Sequence, residues 1–414
     1  KEWTRITGLC FLDAEGQYDD NGLSRVMAFD KLVNPEQSPF FNWSKPFVQL
    51  ETTRGCFNTC AFCVSGGEKP VRTLSVEAIR ERVRLIHEKG IRNIRVLDRT
   101  FNYQSHRAKA LFDLFREFPD MRFHLEIHPA LLSEELKKEL ASMPKGLLHL
   151  EAGIQSLHEE VLTVSRRAGK LADALEGLRY LCALDNMETH ADLIAGLPLY
   201  HLSQIFDDVR TLAEYRAGEI QLESLKLLPG TEMRRRAEEL GICYSPLPPY
   251  EVLQTREITP DELQTARQLS RLRDGLINAP AWQEITRRLI VEEPGFLTRF
   301  LDHLIQIGII DQPMGLERRG ILLYHFCKEH YPHFLTAMSR AWIEAGMSLK
   351  KEPAERVRTK HVTPPEAWTV CTGTYRDNLR LCKLPASEEG RCYWYGFETE
   401  SQQLRPVFAA VSQE

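Results

Sequence analysis

The chain has 414 residues, 43% of them hydrophobic, enough to bury a large core and to form two or three domains. Its net charge of -5, from 53 Lys and Arg against 58 Asp and Glu, excludes a global field of the kind that gathers nucleic acid or an anionic membrane. Ten scattered cysteines exclude the disulfide framework of a small secreted domain, and no apolar run has the length of a membrane span or the flanks of a secretory signal, so a cytoplasmic location is expected.

Residues 1–45 read as a linking segment containing ITGLCFLDAEG, with a turn at Gly16. The chain begins at Lys1 rather than methionine, and a natural start further upstream is expected. PFVQLE, ending at Glu51, reads as a strand. SVEAIRERVRLIHEKG then places Val76, Ile79, Val83 and Ile86 at helical spacing and stops at Gly90. Strand and helix alternate onward: IRNIRVLD, a helix near Ser105 to Phe118, MRFHLEI, LSEELKKEL, GLLHLEAGI, helices between Leu157 and Leu184, ETHADLIAGLP, LSQIFDDVRTLAEY and EIQLESLKLL. About six alternations predict a parallel sheet with outer helices, fewer strands than the eight that close a full barrel. The expected fold is therefore α/β, a six-stranded parallel partial (βα)6 barrel over residues 46–245.

SPLPPYEVLQTREITP reads as a proline-rich connection, after which residues 246–362 read as an all-helical domain. Trp282, Phe296, Tyr324 and Trp342 fall at helical spacing there and are expected in its core. Residues 363–414 read as a short β-rich tail through AWTVCTG, NLRLCKLP and RCYWYGFE. Cys371, Cys382 and Cys392 in that tail are spaced too widely for a second cluster and are expected to be isolated thiols.

Chemistry concentrates in LETTRGCFNTCAFCVSG, where Cys56, Cys60 and Cys63 share one loop after the first strand. Parallel α/β sheets place their ligands at this carboxyl edge. A structural zinc site or an electron-transfer cluster needs four ligands, so a triplet implies either a distant fourth ligand or an open coordination position. RGCFNTCAFC, with Phe62 before the third cysteine, resembles the loop of the radical S-adenosylmethionine (SAM) enzymes. That resemblance implies a 4Fe-4S cluster on the three thiolates, with SAM on the fourth iron, reductive cleavage to a 5'-deoxyadenosyl radical, and a reductant partner such as flavodoxin or ferredoxin.

Further likeness, to the subgroup resembling oxygen-independent coproporphyrinogen dehydrogenases, implies Glu126, Gln155, Arg167 and Asp192 as SAM contacts, with Arg167 on the carboxylate. Arg166 stands beside Arg167 as a rival, and Glu151 is open between a site role and an internal ion pair. The Gly-Gly-Glu that the family carries after its second strand is absent; VLDRTFNYQ stands there, and Gly66-Gly67-Glu68 comes too early to replace it. Asp98 and Thr100 are expected to take over the polar contacts, with Arg99 and Asn102 toward substrate or in a salt-bridged strand end. LDRTFN, EAGIQSL and LKLLPGTEM together resemble radical SAM proteins that carry an upstream cobalamin-binding domain and a C-terminal domain of unassigned function. Cobalamin-dependent methyl transfer on an unidentified organic substrate, or hydrogen abstraction without cobalamin, are both implied, and this sequence holds no Asp-x-His-x-x-Gly cobalamin motif. A SAM- or tetrapyrrole-binding, haem-handling protein and a zinc-stabilised scaffold stand as alternatives.

Overall fold

A computed structural model of the chain describes residues 3–22, 29–360, 362–385, 390–398 and 405–413. Six parallel strands form one sheet: β1 (Val48–Leu50), β2 (Asn93–Val96), β3 (Arg122–Ile127), β4 (Leu148–Gln155), β5 (Glu188–Ala195) and β6 (Glu219–Ser224). Each strand lies beside its predecessor in sequence, the order that successive right-handed crossovers generate. The crossovers carry α1 (Val76–Glu88), α2 (Ser105–Arg116), α3 (Glu134–Ala141), α4 (Glu159–Val164), α5 (Leu171–Cys182) and α6 (Leu202–Glu214). The partial barrel expected from the alternation is present.

Contacts divide the chain into two compact units, Lys1–Thr59 with Ser65–His128 and Leu132–Leu150, and Cys60–Val64 with Pro129–Leu131 and Glu151–Glu414. In the first unit, α1 begins where the Ser75 side chain accepts from Ala78 N at 3.3 Å, which satisfies one of the donors a helix start leaves open. Its Ile79, Val83 and Ile86 are buried, and Gly90 follows in a left-handed conformation with φ 84°. The ITGLCFLDAEG segment supplies the first strand and the turn of an antiparallel pair, Cys10–Leu12 with Tyr18–Asp20, Gly16 standing at φ 77° between them. Glu36 and Arg82 form a buried ion pair at 2.7 Å.

Strand alternation decides where polar groups go. Phe123, Leu125 and Ile127 of β3 are buried, while Arg122, His124 and Glu126 between them are half-buried. β4 repeats the pattern with Leu148, Leu150, Ala152 and Ile154 against His149, Glu151, Gly153 and Gln155. The buried row supplies the apolar core and the other row forms a polar inner face. His124 and His149 meet on that face, Nδ1 to Nδ1 at 3.4 Å.

In the second unit the helical region follows as α7 (Pro260–Leu276), α8 (Gln283–Glu292), α9 (Phe296–Gln306), α10 (Leu316–His330) and α11 (Leu335–Glu344). Thr259 opens α7 with a capping box to Glu262, behind Pro260 in the first turn. Trp282, Phe296, Tyr324 and Trp342 are all buried, as their spacing predicts, and the two tryptophan rings lie 6.0 Å apart. This region also seals the free edge of β6. The Asn278 amide donates to Ile220 O at 2.8 Å and accepts from Ile220 N at 3.0 Å, so one side chain occupies the place of a further strand.

The tail is an antiparallel sheet in the order β7 (Thr369–Thr372), β10 (Phe408–Gln413), β9 (Arg391–Glu398), β8 (Leu379–Leu384). β10 was not predicted: its FAAVSQ has only two large apolar residues to mark it. The start of the proline-rich connection likewise lies between the strands of an unpredicted pair, Cys243–Tyr244 with Val252–Gln254, with Tyr250 at φ 63° in the loop between them. Cys392 packs with Trp394 and Phe408 in one core cluster, Cys382 with Ile343, Tyr395 and Phe397 in another, and Cys371 is exposed. Cys382 and Cys392 are buried, as thiols in β-like segments usually are, whereas Cys371 is not. Among the described residues no helix is long and apolar enough to cross a membrane.

Candidate cofactor site

The cysteine loop leaves the carboxyl end of β1 and is tied down by backbone bonds. Cys56 N donates to Glu68 O at 3.2 Å, and Gly67 N to Asn58 O at 2.6 Å. Gly55 adopts φ 93°, and a Cβ there would stand 2.5 Å from Glu68 O, so glycine is required immediately before the first cysteine. Further along, Ala61 N donates to Ser165 O and Met233 N to Ala61 O, both at 2.8 Å. Cys56 and Cys60 are buried, and Cys63 and Phe62 are half-buried.

The residue pair left open by the sequence separates clearly. Arg166, at φ 54°, turns outward and pairs with Glu232. Arg167 turns inward: its Nη1 lies 3.7 Å from Cys60 Sγ and its Nη2 donates to Gly153 O. Gly153 is the position that makes room. A Cβ there would lie 2.7 Å from Gln155 Nε2 and 3.5 Å from Arg167 Nη2. Gln155 itself sits in the left-handed region at φ 73°, an uncommon conformation for a residue with a side chain and one that the surroundings must enforce.

Just past the end of β4 the chain is bonded to Asp208 of α6, which is buried. Its carboxylate accepts from Leu157 N at 2.8 Å and from the Tyr200 hydroxyl at 2.5 Å, and lies 3.1 Å from His158 Nε2. Burial raises the Asp208 carboxyl while these donors oppose the shift. The chain is thus fixed two residues beyond Gln155.

Asp98, expected to take over a polar SAM contact, engages the chain itself. It is buried, and its carboxylate accepts from Thr52 N and Thr53 N at 2.8 Å each and from the Thr52 hydroxyl. Burial raises this carboxyl, against the hydrogen bonds that favour its charged form. Asp98 therefore holds the entry to the cysteine loop. Thr100 Oγ1 lies 3.8 Å from Cys56 Sγ, and Phe57 stacks on Tyr103 at 5.0 Å. Asn102 is buried and exchanges two hydrogen bonds with the His128 backbone. Glu126 lies 3.7 Å from Arg99, the salt-bridged arrangement.

Asp192 belongs to a group that sequence reading only half found. Its Oδ1 lies 3.0 Å from His190 Nε2, and Glu151 completes a trio whose nearest ligand atoms fall within 4.8 Å of one another. Burial pushes the Asp192 carboxyl up to about 6; His190 opposes this and Glu151 adds to it. Burial alone would lower His190, but its contact with Asp192 raises it. The signal was present in the alternation of HADLI and HLEAGIQ, which places Glu151, His190 and Asp192 in the inner row.

These residues fit an iron–sulfur cluster and SAM: three thiols on a braced loop, a guanidinium beside one of them, and a glycine-made gap lined by an amide. Residues 50–212 match the Radical SAM superfamily, so the chain carries a radical SAM domain, a class that works with a 4Fe-4S cluster and SAM. Among curated proteins it is similar to a tRNA-2-methylthio-N(6)-dimethylallyladenosine synthase of Herpetosiphon aurantiacus, 27% identical over 213 residues, which cover 47% of this chain and 47% of that protein. It is also similar to the ribosomal protein uS12 methylthiotransferase RimO of Prochlorococcus marinus, 27% identical over 178 residues, 40% of this chain and 41% of that one. The match spans less than half the length of these relatives. The solved structure of the cobalamin-dependent S-adenosylmethionine radical enzyme OxsB, with aqua-cobalamin and SAM bound, aligns with a TM-score of 0.52 at 14% identity over 82% of this chain and 60% of that chain, a likeness of fold.

Proposed function

We propose that this chain is a radical SAM enzyme whose cluster is held by Cys56, Cys60 and Cys63, and that it modifies an organic substrate. The observation that carries this reading is Arg167, a guanidinium held between the Gly153 carbonyl and the Cys60 sulfur. A cation beside a sulfur favours the anionic, metal-binding thiolate. Cys56, Cys60 and Cys63 would hold the cluster, which would supply the single electron that reductive cleavage of SAM requires.

The chain's own residues bind and orient. Arg167 offers the charge that pairs with the SAM carboxylate, and its planar fork suits a carboxylate better than a lysine would. Gln155, locked by the Asp208 network, presents an amide beside it. Glu126, Thr100, Phe62 and Asp192 are the other side chains proposed to contact SAM, and Asp98 acts through Thr52 and Thr53 at the entry to the cysteine loop. A carbon radical must be kept from water. The cobalamin reading rests on the OxsB fold likeness and on the resemblance of ITGLCFLDAEG to a joint with an upstream domain, and it favours methyl transfer. The methylthiotransferase relatives favour a reading within the same superfamily, in which a sulfur-bearing methyl group is added.

Anaerobic reconstitution with iron and sulfide tests the first step. About four irons per chain are expected, and Cys60→Ala should lose them while melting at an unchanged temperature. Zinc in place of iron, or iron retained by Cys60→Ala, would overturn the assignment.

A further inference from the structure

Beyond the cluster site, we propose that the hollow between α11 and the tail sheet binds a small organic carboxylate, with Arg340 as its anchor. The hollow follows from residue size. On the sheet face turned to α11, Cys382, Tyr395 and Phe397 of β8 and β9 pack against Ile343. The neighbouring strands β10 and β7 line the hollow with Ala409, Val411 and Cys371, and such small side chains leave the helix unmet. A cavity of about 310 Å3 remains there, the size of a small-molecule pocket.

The wall formed by Arg340 sets the charge of the ligand. Its guanidinium lies over the Tyr393 ring, 4.0 Å from the centroid, which fixes its plane and leaves its edges for hydrogen bonds. Those edges are incompletely used. Nη2 reaches Glu344 only at 3.5 Å, well beyond the roughly 2.7–2.9 Å of a formed charge-assisted bond, while Glu344 accepts from the Tyr395 hydroxyl at 3.0 Å. The Tyr395 oxygen also faces the guanidinium, yet Nε of Arg340 is buried without a hydrogen-bond partner. A planar fork with a desolvated, unused donor and only a long ion pair retains the capacity to take a carboxylate. Glu344 decides between anions: beside it a single negative charge is tolerated, whereas a phosphate dianion would be repelled. The Tyr393 ring, Pro406 and Val411 add apolar surface, which suits a carboxylate carried on an aromatic or aliphatic body.

The cavity uses no residue of the cysteine loop, so its test does not depend on SAM cleavage. The full chain is titrated with benzoate, and saturation-transfer NMR reads the bound probe. Saturable binding is expected, displaced neither by saturating SAM nor by inorganic phosphate. Arg340→Gln should weaken it at least about tenfold. Glu344→Gln, at an exposed position, should tighten it about twofold to fivefold, because the competing carboxylate charge is gone. Effects of opposite sign at two neighbouring positions are not what a merely structural role produces. Circular dichroism melting confirms that both variants fold. Absence of saturable benzoate binding, equal affinity in Arg340→Gln, weaker binding in Glu344→Gln, or displacement by phosphate or SAM would overturn the proposal.

Discussion

The inner face of the sheet and the core of the C-terminal region bury groups of opposite kinds. The inner row of β4 and β5 carries His149, Glu151, Gln155, His190 and Asp192, whereas the helical region closes over Trp282, Phe296, Trp342 and Tyr324. Aromatic burial gains stability from area and shape. Polar burial gains little unless every partner is supplied, and a face that retains it is held for chemistry rather than for folding. Glycines show the same division. Gly153 keeps space open beside Gln155 and Arg167, while Gly320 lets α10 approach the Trp282 ring, where a Cβ would come within 2.4 Å of ring carbons.

That contrast is breakable by substitution. The largest effect belongs to the inner face: Arg167→Ala should weaken SAM binding by about tenfold to a hundredfold, the worth of a charge-assisted pair, with iron content unchanged and melting little moved. Arg167→Lys should restore only part of this, because a lysine cannot reach the carbonyl and the ligand with one planar fork. Calorimetric titration with SAM reads both. Equal affinity in Arg167→Ala would remove the residue from the site.

Gly320→Ala should do the reverse, costing about 1–3 kcal/mol of stability by overpacking against Trp282 while SAM affinity is preserved. Denaturant unfolding measures it. A smaller change is expected at the sheet edge. Asn278→Ala leaves the Ile220 backbone groups without their side-chain partner and should cost about 1–2 kcal/mol, with increased hydrogen exchange confined to β6. Exchange unchanged at Ile220 would show that the edge is protected by other contacts.

How much of this was legible in the sequence follows the same line. The strands and helices of the barrel were readable because alternation and helical spacing each leave a periodic trace, and β1 through β6 appear where those traces fall. β10 was not, since FAAVSQ alternates through alanines and a serine. The cysteine loop stood out by its three closely spaced thiols, and its reading as a cluster loop came from the resemblance of RGCFNTCAFC to the radical SAM enzymes. The division of labour between Arg166 and Arg167 was not, because it depends on one left-handed φ at Arg166 that adjacent arginines do not announce. Asp98 in VLDRTFN was expected to take over a polar SAM contact; its burial against Thr52 and Thr53, forty-six and forty-five residues away in sequence, left no local trace.

The most direct test of the central claim is the product of SAM cleavage. The reconstituted chain, incubated anaerobically with dithionite and SAM, is predicted to form 5'-deoxyadenosine and methionine, with formation abolished in Cys60→Ala. A correctly loaded cluster that leaves SAM intact, or product formed equally by Cys60→Ala, would contradict it.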